Sequence, residues 1–98
     1  MVVVIFRSRL RPNIEREYLA SSQRMLEIAE SLPGFISVKG YTADDGEKVS
    51  IHEWESLEHL RAWREHPEHL ETQEIGRREF FEEYSCYVCD EPRRYSFP

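Results

Sequence analysis

One hairpin signal fixes most of what this chain can become. Phe35 to Thr42 and Lys48 to Glu55 read as strands, joined through the turn residues Asp44-Asp45-Gly46. Before the hairpin, residues 14–31 carry Ile14, Tyr18, Met25, Ile28 and Ala29 near helical spacing, with Leu32 just beyond, and Pro33-Gly34 stops the helix. Asn13 stands where an N-cap is expected. After the hairpin, Ser56 opens a second helical stretch, and residues 2–9 and 83–90 supply one strand at either end. The order is β-α-β-β-α-β, the ferredoxin-like plan of the α+β class. Helices can cover only one face of such a sheet, and the other face must also find cover. A single domain of 98 residues has little core of its own. Face-to-face pairing of two sheets, a homodimeric α+β barrel, would supply the missing buried area.

Charge narrows the partners. The balance of −6 argues against nucleic acid, whose phosphates call for a basic face. Val2-Val3-Val4-Ile5-Phe6 lacks the basic flank and cleavage site of a secretory signal, and no run approaches the ~20 apolar residues of a membrane span. A cytoplasmic protein with no membrane partner is expected. Cys86 and Cys89 lie three apart on a strand, so their side chains point to opposite faces ~10 Å apart, beyond disulfide reach. They read as reduced thiols.

The second helical stretch is chemically unusual. Pro67 removes a backbone donor and pushes His66 out of helical angles, so two helical pieces meet there. Trp63, His66, His69, Leu70, Gln73, Arg77 and Phe80 then share roughly one third of the circumference at ~100° per residue. Polar groups on an inward face need partners, which suggests a hydrogen-bonded subunit interface or the wall of a small-molecule pocket. His66 and His69 have a spacing that metals can use, but no further ligand converges beyond a speculative His52 or Glu53, so no metal is expected. Trp54 suits the core at the end of the hairpin, although it too is a candidate ligand contact. Tyr18 and Tyr84 combine an apolar body with a hydroxyl. Arg77 either forms a salt bridge to Glu74, to Glu71 or to a partner subunit, or holds a ligand anion or stacks on a ring. No dinucleotide or phosphate-cradling glycine pattern occurs, and no cofactor is implied.

The same residues carry a family resemblance. Trp54-Glu55-Ser56, the run from Ala62 to Leu70, Gln73, Gly76-Arg77 and Tyr84 resemble the second half of antibiotic biosynthesis monooxygenase-type domains. Pro33-Gly34-Phe35 and the terminal Arg94-Tyr95-Ser96-Phe97 fit that pattern as well. The resemblance implies the dimeric α+β barrel. It also implies enzymes that oxidise polycyclic phenols, anthrones or quinols with molecular oxygen and without metal or flavin. In that chemistry the substrate anion itself reduces oxygen, and the protein deprotonates, shields and stabilises it. His66 or His69 would accept the proton, Arg77 would steady the anion, and Trp63, Gln73, Tyr84, Tyr18 and Trp54 would contact the small aromatic substrate. A related haem-degrading branch uses an asparagine, a tryptophan and a haem-ligating histidine. Ser8 and Gln73 stand at two of those positions, with Trp63 at the third, which argues against haem cleavage. The opposing expectation is a dimer that binds a small aromatic metabolite without catalysis.

Overall fold

The computed structural model describes residues 1–98. Its elements are β1 (Val2–Leu10), α1 (Glu15–Ser31), β2 (Phe35–Thr42), β3 (Lys48–Trp54), α2 (Leu57–Arg64), α3 (Pro67–Ile75) and β4 (Phe81–Asp90). A five-residue π-helical turn, Gly76–Phe80, joins α3 to β4. The four strands form an antiparallel sheet in the order β2-β3-β1-β4. This is the ferredoxin-like α+β arrangement expected from the sequence.

Strand alternation assigns the two faces. Val2, Val4, Phe6 and Ser8 of β1 point toward the helices, in register with Trp54, His52, Ser50 and Lys48 of β3. The core beneath the helices gathers Val2, Val4, Met25, Ile28, Ala29, Trp54, Leu60 and Trp63. The opposite face carries Val3, Ile5, Ile51, Tyr41 and Tyr87, with both tyrosines about half exposed at 51% and 47%. Arg7 and Arg9 of β1 lie on this face as well. Arg7 bonds Glu47 and Arg9 bonds Asp45, which ties β1 to the hairpin loop.

Local chemistry sets the helix boundaries. Ser56 accepts a hydrogen bond from the His59 N–H and caps α2, as its position in the sequence suggests. Pro67 occupies the first turn of α3, and His66 is extended at φ −58°, ψ 133°. Asn13 does not cap α1. It takes a left-handed φ of 64°, Ile14 occupies the capping position, and no side-chain bond is made there. Asparagine tolerates that conformation better than most residues, so Asn13 turns the chain instead of closing the helix end.

Gly34 is the tightest joint. It has φ 84°, and a Cβ there would collide with the His59 ring. The Gly34 carbonyl also accepts from Glu55 N–H at 2.8 Å. The bare glycine thereby lets the first turn of α2 rest on the α1–β2 connection. Gly34→Ala combines a left-handed strain with this overlap, and a destabilisation of at least ~2 kcal/mol is expected by urea unfolding. A midpoint within error of the parent protein would contradict the packing described.

Candidate functional site

Between α1, α3 and the helix-facing side of the sheet lies a cavity of about 800 Å³. Its floor is Val4, Phe6 and Ser8 of β1 with Ser50 and His52 of β3, and its roof is Trp63, His69, Gln73 and Arg77. Tyr18 and Tyr84 complete two of its walls.

The roof follows from helical spacing. His69, Gln73 and Arg77 are successive i,i+4 positions, so they line one face. Gln73 Nε2 lies 2.8 Å from His69 Nδ1. An amide NH₂ only donates, so the neutral imidazole carries its proton on Nε2. Arg77 Nη1 donates to the Tyr84 hydroxyl at 3.4 Å, and Nη2 pairs with Glu74 at 3.0 Å. The two readings of Arg77 thus coexist: it pairs with Glu74 and also reaches the cavity. It sits in the wide turn that begins at Gly76, where a Cβ would lie 2.9 Å from the Phe81 ring. Sequence periodicity continues a regular helix through this stretch. The structure instead widens into a π turn at Gly76–Phe80, where the bare Gly76 leaves room for the Phe81 ring.

Aromatic stacking fixes the deep end. Trp63 is 7% exposed and its Nε1 donates to the Met25 carbonyl at 3.3 Å, which binds α2 to α1. The rings of His69 and His52 lie 4.2 Å and 5.3 Å from the Trp63 ring. Trp54 stacks on Trp63 at 5.5 Å and is fully buried. It does not line the cavity, so its expected ligand contact is replaced by a supporting one: it holds Trp63 from behind. At the other end Tyr18 packs edge-on to Phe80 and Phe81, and Phe6 stacks on Tyr84 at 5.3 Å. Burial raises the Tyr18 hydroxyl, with Ser22 partly opposing, so it stays protonated.

The two neighbouring histidines of the sequence part company. His66 accepts from the Glu68 N–H through Nδ1 at 3.2 Å and closes the start of α3. It does not line the cavity. Capping a helix whose first residue is proline turns this side chain along the backbone, which removes His66 from the proton-accepting role expected of it. His52 takes the place beside His69. Its alternation with the outward-facing Ile51 and Glu53 is legible in the sequence, yet nothing there says that the inward face borders an opening and not a closed core. No three His, Cys, Asp or Glu side chains converge as a metal-holding group. Cys86 and Cys89 are free thiols, of which Cys86 borders the cavity.

Burial dominates the electrostatics. It drives His69 down to about 4, with the Arg64 carbonyl pulling upward and the Arg64 and His66 charges pushing further down. It drives His52 to about 4 as well, and His69 adds to the effect. Both imidazoles are therefore neutral near pH 7. On the exterior, Arg24 of α1 grips Glu68 of α3 through two bonds of 2.8 Å and ties the two helices together.

A four-stranded antiparallel sheet covered on one face by helices, with a cavity between them lined by aromatic rings, imidazoles and Arg77, is an α+β domain of the ferredoxin-like plan. The chain belongs to the antibiotic biosynthesis monooxygenase family, whose profile matches residues 1–75. It is 32% identical over 94 residues to the uncharacterized protein YqjZ of Bacillus subtilis, covering 96% of this chain and 82% of that one. Rv0793 from Mycobacterium tuberculosis superposes with a TM-score of 0.82 at 23% identity, over 97% of this chain and 98% of that one. SnoaB, a cofactor-independent oxygenase from Streptomyces nogalater, gives 0.76 at 18% identity over 99% and 96%. These two structures share the fold. No helix is long and apolar enough to cross a membrane.

Neutral buried histidines make stability depend on pH. Each titrates at 6.5 when unfolded and at about 4 when folded, so the unfolded chain binds more protons between those values. Their contribution is complete above pH 6.5 and is lost as pH falls through about 4. The urea midpoint should drop across that window, and His52→Asn should flatten the drop. An identical slope in the variant would show that His52 is not held neutral by burial.

Proposed function

We propose that the protein is a cofactor-independent monooxygenase that acts on a small aromatic quinol-type or polycyclic phenolic substrate with molecular oxygen. The observation that carries this reading is the cavity itself. Aromatic walls receive a flat ring system, while His69, Gln73 and Arg77 bring a proton acceptor, an adaptable amide and a positive charge onto one roof.

The chemistry would run from these groups. A substrate hydroxyl or activated C–H takes the place of the Gln73 amide at His69 Nδ1 and gives up its proton there. Burial makes imidazolium costly, but an anion formed beside it in a low-dielectric site favours the charged form and offsets that cost. Arg77, at the Tyr84 end, draws negative charge along the conjugated frame. The anion then transfers one electron to oxygen, the radical and superoxide combine to a peroxide anion, and the proton held at His69 returns to it to give a hydroperoxide. Loss of water leaves a carbonyl, so that CH₂ and O₂ become C=O and H₂O.

A homodimer belongs to the same reading. Val3, Ile5, Ile51, Tyr41 and Tyr87 form an apolar patch on the sheet face away from the helices, which a second copy would cover. Sedimentation at micromolar concentration should give twice the chain mass, and a stable monomer would remove this part of the proposal.

A second reading is a binding protein without turnover, favoured by the occupied His69 Nδ1. Oxygen uptake with a panel of anthrones and quinols and no added cofactor separates the two. His69→Ala and Arg77→Ala should each lower turnover by ~10²-fold, the scale of lost acid–base or anion help. His66→Ala should leave turnover unchanged. In kcat/KM, the acid limb assigned to the free enzyme should fall near pH 4, where His69 protonates, and not near 6.5. No oxygen uptake, or uptake unaffected by both substitutions, would leave the binding protein as the better account.

A further inference from the structure

We infer that the cavity is a slot with two polar ends, and that Ser8 and His52 select an elongated fused-ring ligand bearing an oxygen function at each end. This rests on the reading of the cavity as a substrate site and goes further by fixing the ligand's length and polarity. It assigns specificity to two residues that the proposed oxygenation chemistry does not use.

Two buried polar atoms on the cavity floor lack hydrogen-bond partners: Ser8 Oγ and His52 Nδ1. Ser8 is 2% exposed. An unsatisfied buried donor or acceptor is costly and rare, and both belong to residues that line the same opening. They sit on one sheet face at its two ends. Ser8 pairs across the sheet with Lys48, and Val4 pairs with His52. Lys48 and His52 are four positions apart, which places the Ser8 and His52 backbones ~13 Å apart along the strands at 3.3 Å per residue. Between the two ends the floor is Phe6 and Val4 with Ser50, whose hydroxyl is taken up by His52.

The roof repeats this layout. His69 and Arg77 are eight positions apart, ~12 Å along a helix at 1.5 Å per residue. The His52 end lies against Trp63, which touches His69. The Ser8 end lies beside Tyr84, its partner across the sheet, and Tyr84 accepts from Arg77. The unpartnered polar atoms, Ser8 Oγ and His52 Nδ1, lie at the two ends, while the polar groups between them, Ser50 on the floor and Gln73 on the roof, are already paired with His52 and His69. A single hydroxylated ring satisfies one end only. A linear polycycle with oxygens at opposite ends satisfies both.

His52 can serve either kind of oxygen. Its Nε2 lies 3.2 Å from Ser50 Oγ. If the serine donates, Nδ1 bears the proton and meets a carbonyl; if the serine accepts, Nδ1 meets a hydroxyl. Both unpartnered atoms are closed to solvent, so contact involves a turn about χ1 of Ser8 and a small turn about χ2 of His52 that keeps Nε2 beside Ser50.

The test uses ligands that are already oxidised, so that binding is read without turnover. The probes are 2,6-dihydroxyanthraquinone, with a hydroxyl at each end, and 2-hydroxyanthraquinone, with one. Affinities are measured by titration calorimetry, with quenching of tryptophan fluorescence as a second signal. The parent protein should prefer the two-ended probe by about tenfold or more, the scale of one net hydrogen bond. Ser8→Ala and His52→Phe should each bring that ratio near one while still binding 2-hydroxyanthraquinone, which also shows that the variants fold. Ser8→Ala removes an unpartnered hydroxyl and should keep or raise the unfolding midpoint. Equal affinity for the two probes in the parent protein, or a ratio preserved in both variants, overturns the slot while leaving the substrate cavity in place. Failure of the parent to bind either probe overturns both.

Discussion

The contact on which the rest depends is the stack of Trp54 on Trp63. Trp54 ends β3 fully out of water, and Trp63 stands one residue from the end of α2. Two indoles in contact remove a large apolar area from solvent, and stacked aromatic pairs contribute ~0.5–1.5 kcal/mol beyond that burial. The pair does more than stabilise. With the Trp63–Met25 bond it sets the height of α2 above the sheet and the distance of α2 from α1. The cavity exists because this stack holds the layers together at one end, while at the other Tyr18, Phe80, Phe81 and Tyr84 hold them with edge-on rings.

The chemistry of the cavity contrasts with its surroundings. Ion pairs are spread over the exterior, including Arg7–Glu47, Arg9–Asp45 and Arg24–Glu68, all with exposed or half-exposed members. Such pairs contribute little individually, ~0–1 kcal/mol. Inside, the polar groups are neutral: two imidazoles held uncharged by burial, hydroxyls and an amide. Arg77 stands at the edge between these regimes, half exposed and shared between Glu74 and Tyr84.

How much of this the sequence disclosed depended on the range of the interaction. The hairpin, the α1 stretch, the Ser56 cap and the extended His66 before Pro67 are set by neighbours in the chain, and each was readable. The stripe of Trp63, Gln73 and Arg77 was readable for the same reason, since one helix face is a local property. Asn13 was misplaced because the capping residue type also suits a left-handed turn. Trp54 was assigned a ligand contact because side-chain size cannot tell a cavity wall from the layer behind it. His52 stayed among speculative metal ligands because its neighbours in space, Trp63 and His69, come from elements that only the tertiary packing brings over β3. Ser8 illustrates the same limit. Its burial and its missing partner are facts of three dimensions.

The π turn at Gly76–Phe80 has a consequence in the currency of chain length. Each residue of a helix rotates the next by ~100°, and β4 is pinned to β1 by its ladder of pairs. The extra residue accommodated in that turn lets α3 present Gln73 and His69 inward while β4 still enters the sheet in register. A relative one residue shorter here would have to regularise the turn, and would then either rotate the roof away from the floor or slip Tyr84 to the opposite sheet face. In members of the family that keep the same strand pairing, insertions and deletions between the equivalents of Gln73 and Tyr84 would therefore alter which side chains meet the ligand even where every residue type is retained.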